Sequence, residues 1–70
     1  MNQADLTARI LHLLGQARGT SADLARRAPA SLWAVRKALR VLRQEGRVEK
    51  RPRWYGRFSY TWVYRLRAKA

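Results

Sequence analysis

The sequence contains no cysteine, and it has only one histidine, four acidic residues and two prolines. Without cysteine, neither a disulfide framework nor a thiolate metal site can stabilise so short a chain. No stretch approaches the apolar length of a membrane span, and the N-terminus lacks a basic region followed by an apolar block. We therefore expect a cytoplasmic protein with no cofactor, no metal and no membrane partner.

The scarcity of acids and histidines also argues against an enzyme. The four carboxylates are far apart in the sequence, and no two of them share a face of a predicted element, as acid–base catalysis would require. Glycine loops that cradle phosphates and the usual metal-ligand spacings are absent. A chain of 70 residues buries roughly 60% of its unfolded surface, which leaves room for one thin core. We expect one non-enzymatic domain covering residues 1–70.

Positive charge is abundant, and it is concentrated in the second half of the chain. The formal net charge is +12, and the whole excess lies from Arg26 onward, because two acids cancel two arginines before that point. Arginine greatly outnumbers lysine, and its planar fork suits phosphates and guanine edges. A neutral half joined to a basic half indicates a scaffold side and a side that faces an anion.

Capping residues divide the first two thirds of the chain into three helices. Asn2 can cap the first helix, and Thr20 with Asp23 forms a capping box for the second. Pro29 ends the second helix, and Ser31 can cap the third after a turn of helix-turn-helix length. The predicted helices span residues 3–17, 21–28 and 32–45.

The third predicted helix has two contrasting faces. One face is apolar, with Val35, Ala38, Leu39 and Leu42. The opposite face is cationic and carries Trp33, Arg36, Lys37, Arg40 and Gln44. Like charges four residues apart destabilise a helix, and cations near its start oppose the helix dipole. Both penalties vanish if a polyanion lies along this face, so the pattern predicts a helix that binds DNA.

Two glycines mark changes in the predicted backbone. Gly19 is suited to a left-handed cap at the end of the first helix, and Gly46 ends the third. After Gly46 the pattern alternates with period two, which predicts a β-hairpin with strands at residues 47–54 and 59–66.

The parity of the hairpin limits its register. Val48 should pair with Tyr64 or Leu66, which leaves a loop of residues 55–57 or 55–59. We favour the longer loop, because it places Glu49 opposite Arg65. On the same parity Trp54 is expected to point inward, and Trp62, Tyr64 and Leu66 are expected in the core.

The order of these elements resembles a winged helix-turn-helix domain, an α+β fold of three helices followed by a two-stranded wing. The segment 23–28, DLARRA, is similar to the ELARRL helix of MarR- and ArsR-type bacterial regulators. Residues 46–50, GRVEK, resemble the GLVER that leads into their wing, and residues 62–66, WVYRL, resemble the closing VYYRL. Two departures are Pro29, where those families usually have a turn glycine, and the bulky Trp33.

The resemblance implies sequence-specific or semi-specific binding of double-stranded DNA, in transcriptional regulation of a bacterial or phage type on the nucleoid. In the major groove it would place the start of the recognition helix and its cationic face, namely Ser31, Leu32, Trp33, Arg36, Lys37 and Arg40. On the backbone or in the minor groove it would place cations of the wing and its flanks, namely Arg26, Arg27, Lys50, Arg51, Arg53 and Arg57.

Three alternatives remain open at the level of sequence. The first is binding of RNA or left-handed duplex, although the asparagine and tyrosine that left-handed-duplex winged helices use on the third helix are missing. The second is a protein-interaction domain whose contact patch is Trp54, Phe58 and Tyr60. The third is a homodimer formed through the first helix or the hairpin aromatics. Trp33 could fold onto the hairpin or contact bases, and its helical position favours exposure.

Overall fold

The computed structural model describes residues 2–67 and contains three helices followed by a two-stranded antiparallel hairpin. This is the α+β architecture that the sequence predicts, and each element ends within one residue of its predicted bounds. The elements are α1 (Gln3–Gln16), α2 (Ser21–Arg27), α3 (Leu32–Gln44), β1 (Val48–Trp54) and β2 (Tyr60–Leu66). None of the three helices has both the length and the hydropathy that a bilayer crossing requires.

The predicted caps start all three helices. The Asn2 side chain accepts a hydrogen bond from the Asp5 amide at 2.8 Å. At α2 the capping box is complete, because the Asp23 amide donates to the Thr20 hydroxyl at 3.2 Å and the Thr20 amide donates to the Asp23 carboxylate at 3.1 Å. The Ala34 amide donates to the Ser31 hydroxyl at 3.1 Å at the start of α3. Side chains thus satisfy amides that the helices leave unpaired.

The two glycines behave differently. Gly46 has a φ of 75°, and its amide donates to the Arg43 carbonyl while the Arg47 amide donates to the Leu42 carbonyl. This pair of bonds is the Schellman motif, so Gly46 ends α3 as predicted. The left-handed cap expected at Gly19 is wrong, because among residues 2–67 a positive φ occurs only at Gly46. Gly19 is instead extended enough to pair with Tyr64 of β2 through two backbone hydrogen bonds, of 3.1 and 2.7 Å.

The core lies where the inward faces of the three helices meet the base of the hairpin. The predicted apolar face of α3 is buried along its whole length. The buried residues are Leu6, Ile10, Leu13, Leu14, Leu24, Ala28, Val35, Ala38, Leu39, Leu42 and Val48. Tyr64 packs against this cluster and is partly buried. One face of α3 therefore packs against the core, and the opposite face is exposed.

The hairpin has the register that the longer loop requires. Val48 pairs with Leu66, Glu49 with Arg65, and Trp54 with Tyr60. Residues 55–59 form the loop, which the Tyr55 amide closes by donating to the Ser59 carbonyl at 3.1 Å.

The depth of the hairpin differs from expectation. Trp54 is 59% exposed, and Trp62 and Leu66 are 37% and 40% exposed, so none of these three belongs to the core. Burial along β1 falls from Val48 to the exposed residues at its far end. Strand parity correctly gave the face of the sheet, but the outer half of the ribbon, with Trp54 and Trp62, extends past the helices that could have covered it. Leu66 lies at the base of the hairpin opposite Val48 and is still partly exposed.

Candidate nucleic-acid interface

An open groove of about 490 Å³ lies between α3 and the hairpin. We call it the α3 groove. Residues from α2, α3 and both strands line it, namely Ser21, Arg36, Arg40, Arg43, Lys50, Tyr60, Thr61, Trp62 and Tyr64. The wall formed by α3 is a single stripe of cations, because its three arginines are four and three residues apart. The hairpin contributes one more cation and an aromatic surface.

The electrostatics of the α3 groove are unbalanced. None of the described residues that line it is acidic. The ion pairs found within residues 2–67 join Asp23 to Arg26, Glu45 to Arg47, and Glu49 to Arg65, so none involves an arginine of the α3 stripe. The stripe therefore repels itself and offers its guanidinium groups to an outside anion.

The start of α3 presents a second, more apolar surface. Trp33 is 72% exposed, which agrees with its predicted position on the helix. The Lys37 ammonium lies 5.2 Å from the centre of the Trp33 ring, within cation–π range. Leu32 is partly exposed beside it, and the Ser31 hydroxyl is engaged by the helix cap.

Besides Tyr64, which packs against the core, the hairpin carries three exposed aromatic side chains on the face that it turns toward α3. The ring centres of Trp54 and Tyr60 are 4.9 Å apart, and those of Tyr60 and Trp62 are 5.3 Å apart. The Lys50 ammonium lies 4.2 Å over the Trp62 ring. We call Trp54, Tyr60 and Trp62 the aromatic row.

A second groove, of about 470 Å³, lies on the opposite face of the hairpin, against the connection between α1 and α2. We call it the α2 groove, and it is lined by Arg18, Gly19, Thr20, Asp23, Arg51, Pro52, Arg53, Val63 and Arg65. Hydrogen bonds from the Thr20 amide and from the Arg26 guanidinium lower the pKa of Asp23 below its usual value. This carboxylate is consequently charged at neutral pH, and Arg65 is also paired with Glu49.

The structure thus separates the predicted binding residues into groups. It brings Arg36, Arg40 and Lys50 together in the α3 groove, and it places Arg51 and Arg53 in the α2 groove. Trp33, Lys37 and Leu32 lie on the exposed surface of α3 without lining either groove, and so do Arg27 and Arg57 on α2 and the hairpin loop. Arg26 is exposed but is engaged by Asp23 at 2.5 Å.

Of the residues that line the α3 groove, sequence reasoning predicted only Arg36, Arg40 and Lys50 as nucleic-acid contacts, and Arg43 and Trp62 are among those it missed. Arg43 lies seven residues after Arg36, and that spacing places both on the same helical stripe. The periodicity alone could have found it. Trp62 was expected in the core, and only the depth of the hairpin shows that it borders the groove instead.

No match was found when the chain was compared with known protein families, with curated proteins and with solved structures.

Proposed function

We propose that this domain binds double-stranded DNA as a winged helix-turn-helix protein. The observation that carries the proposal is the arginine stripe of α3, Arg36, Arg40 and Arg43, which is exposed and without an acidic partner within residues 2–67. A duplex supplies regularly spaced negative charge, and its major groove is wide enough for an α-helix. Binding would thereby remove the repulsion that the free stripe carries.

In this arrangement α3 enters the major groove and the hairpin lies beside it. Trp33 and Lys37, at the exposed start of α3, would contact base edges, where an indole can meet a thymine methyl. Lys50 would contact phosphates near α3, and Arg51, Arg53 and Arg57 would contact the flanking backbone or a narrow minor groove. Such a domain would act in transcriptional control, on DNA of the nucleoid. Because base contacts specify and phosphate contacts position, the expected binding is sequence-specific or semi-specific.

Salt dependence of binding to a duplex tests the proposal. We expect the logarithm of the association constant to fall linearly with the logarithm of salt concentration. Arg36→Ala and Arg40→Ala should each weaken binding by roughly tenfold, and each should reduce the salt slope by about 0.9 for every phosphate that is no longer neutralised. Arg9→Ala, which removes an exposed cation of α1 that lines neither groove, is the matched control and should change little.

Two results would overturn this proposal. One is duplex affinity that does not depend on salt, and the other is unchanged affinity in both α3 variants. Competition with double-stranded RNA and with left-handed duplex, in the same assay, distinguishes the alternative nucleic acids. If no nucleic acid binds and the protein self-associates through its hairpin, the domain is an interaction module instead.

A further inference from the structure

The aromatic row has an exposure that neither the core nor the proposed duplex contact explains. Trp54 and Tyr60 are paired across the two strands near the hairpin loop. Trp54 is nevertheless 59% exposed and Tyr60 is 44% exposed, so much of each ring is in contact with water. Neighbouring exposed aromatic side chains that form one continuous patch are typical of a binding site. The row also faces the α3 groove, since Tyr60 and Trp62 line it.

We propose that the aromatic row stacks on unpaired bases, so that the domain binds nucleic acid in which a single strand continues from a duplex. This proposal deepens the proposed function and rests on it: α3 would hold the duplex, and the row would hold the strand that leaves it. Stacking of bases on aromatic side chains beside a cationic groove is the general way in which proteins bind single strands.

The geometry of the row supports stacking. The Trp54 and Tyr60 rings are inclined by 48°, and the Tyr60 and Trp62 rings meet edge to face at 85°. Rings packed face to face would cover each other, whereas inclined rings leave faces open to a third partner. Because the Lys50 ammonium covers a face of Trp62, Trp54 and Tyr60 are the rings that remain available.

The positive charge beside the aromatic row favours a nucleic acid strand as its ligand. The row borders Arg36, Arg40, Arg43 and Lys50, and no described residue lining that groove is acidic. A second copy of this chain would bring the same strong positive charge to the contact and would be repelled. A nucleic acid strand carries both the bases that the rings can stack on and the phosphates that the cations can bind.

The experiment compares one duplex with blunt ends, the same duplex with a short single-stranded tail, and the tail oligonucleotide alone. Tails of DNA and of RNA distinguish the two kinds of strand. We expect the tail to tighten binding by about tenfold for each stacked base, and to quench tryptophan fluorescence beyond the quenching that blunt duplex causes at Trp33. The double variant Trp54→Ala with Tyr60→Ala should bind blunt and tailed duplex equally.

Matched variants keep the test informative. Tyr60→Phe keeps the ring and should keep the gain, and Tyr55→Ala removes an exposed aromatic outside the row and should also keep it. If the double variant fails to fold, Trp54→Ala and Tyr60→Ala are tested singly, and each should reduce the gain from the tail. Equal affinity for blunt and tailed duplex, without additional quenching by the tail, overturns the proposal and leaves the duplex proposal intact. Failure to bind blunt duplex, with retained binding of the oligonucleotide, overturns the duplex proposal and leaves only single-strand stacking on the row.

One further outcome would also overturn the inference. If sedimentation shows a dimer that the double variant abolishes, the row is an interface between two copies of the chain.

Discussion

The α3 groove and the α2 groove are nearly equal in volume and lie on opposite faces of the same hairpin, yet among residues 2–67 only the α2 groove has an acidic residue in its lining. Arginines line both. The α2 groove also contains Asp23, and its Arg65 is paired with Glu49. In the α3 groove no described lining residue is acidic, and its cations form no ion pair within residues 2–67. The comparison teaches that the number of arginines says less about anion binding than the placement of the few acids does.

The largest expected effect comes from removing equal charge from the two grooves. Substituting Arg36, Arg40 and Arg43 together by alanine should weaken duplex binding by on the order of 100-fold or more, because each unpaired arginine contributes about 1 kcal/mol or more. The same substitution of Arg18, Arg51 and Arg53 should weaken it by roughly tenfold, because in the proposed arrangement Arg51 and Arg53 would contact only the flanking backbone or a narrow minor groove. Fluorescence anisotropy at one fixed salt concentration measures both.

Both triple variants lose the same net charge, so a long-range effect of charge would weaken them equally. Equal weakening would show that the two grooves do not differ in function. A larger effect in the second triple variant would move the binding site to the α2 groove.

The next largest effect is on stability, and it comes from Thr20, which lines the α2 groove. Thr20→Ala removes the hydroxyl that accepts a hydrogen bond from the Asp23 amide, and it should lower the free energy of unfolding by about 1 kcal/mol. For a domain of this size that corresponds to a fall in melting temperature of about 4–8 °C. Ser31→Ala at α3 is the comparison, since its cap is a single bond without the reciprocal carboxylate, and it should cost no more than Thr20→Ala.

The pH dependence of stability tests how much the Asp23 carboxylate contributes to the cap of α2. The Thr20 amide and Arg26 lower the pKa of Asp23 in the folded protein below its ordinary value of 3.8. The resulting stabilisation is therefore fully present above that ordinary value and is lost as the pH falls through the lower, folded value. Asp23→Asn should remove this component of the acid unfolding curve, and an unchanged curve would contradict the assignment.

Local chemistry in the sequence predicted much of this fold. Ser31 and Thr20 cap helices because capping depends on neighbouring residues, and the pairing of Glu49 with Arg65 followed from strand parity together with their opposite charges. The depth of Trp62 depends on how far the hairpin extends beyond the helices, which no periodicity encodes. The pairing of Gly19 with Tyr64 likewise joins segments 45 residues apart, and nothing local in either segment indicates it.

The candidate site was predictable to the same extent. The stripe on α3 follows from helical spacing, and Arg43 would have followed from it too. That Arg51 and Arg53 lie across the ribbon from α3 could be inferred from parity only once the face of the hairpin that meets α3 was known. The division of one basic half into two unlike grooves is therefore a property of tertiary packing.

The smallest expected effect comes from making the two grooves alike. Asp23→Asn with Glu49→Gln removes the acids that pair with Arg26 and Arg65, while the amides keep oxygen atoms that can accept hydrogen bonds. We expect duplex affinity at low salt to rise by about threefold, since ion pairs that remain partly exposed are worth only about 1 kcal/mol or less each.

The matched control for this gain is Asp5→Asn with Glu45→Gln, which changes the net charge by the same amount at positions outside both grooves. If placement of the acids decides anion binding, the control should gain less than the Asp23 and Glu49 variant, and its salt slope should stay closer to that of the wild-type protein. Equal gains in the two double variants would mean that net charge alone sets affinity. The contrast between the grooves would then have no consequence for binding. A larger gain at Asp23 and Glu49 would show that these two carboxylates weaken anion binding by the α2 groove.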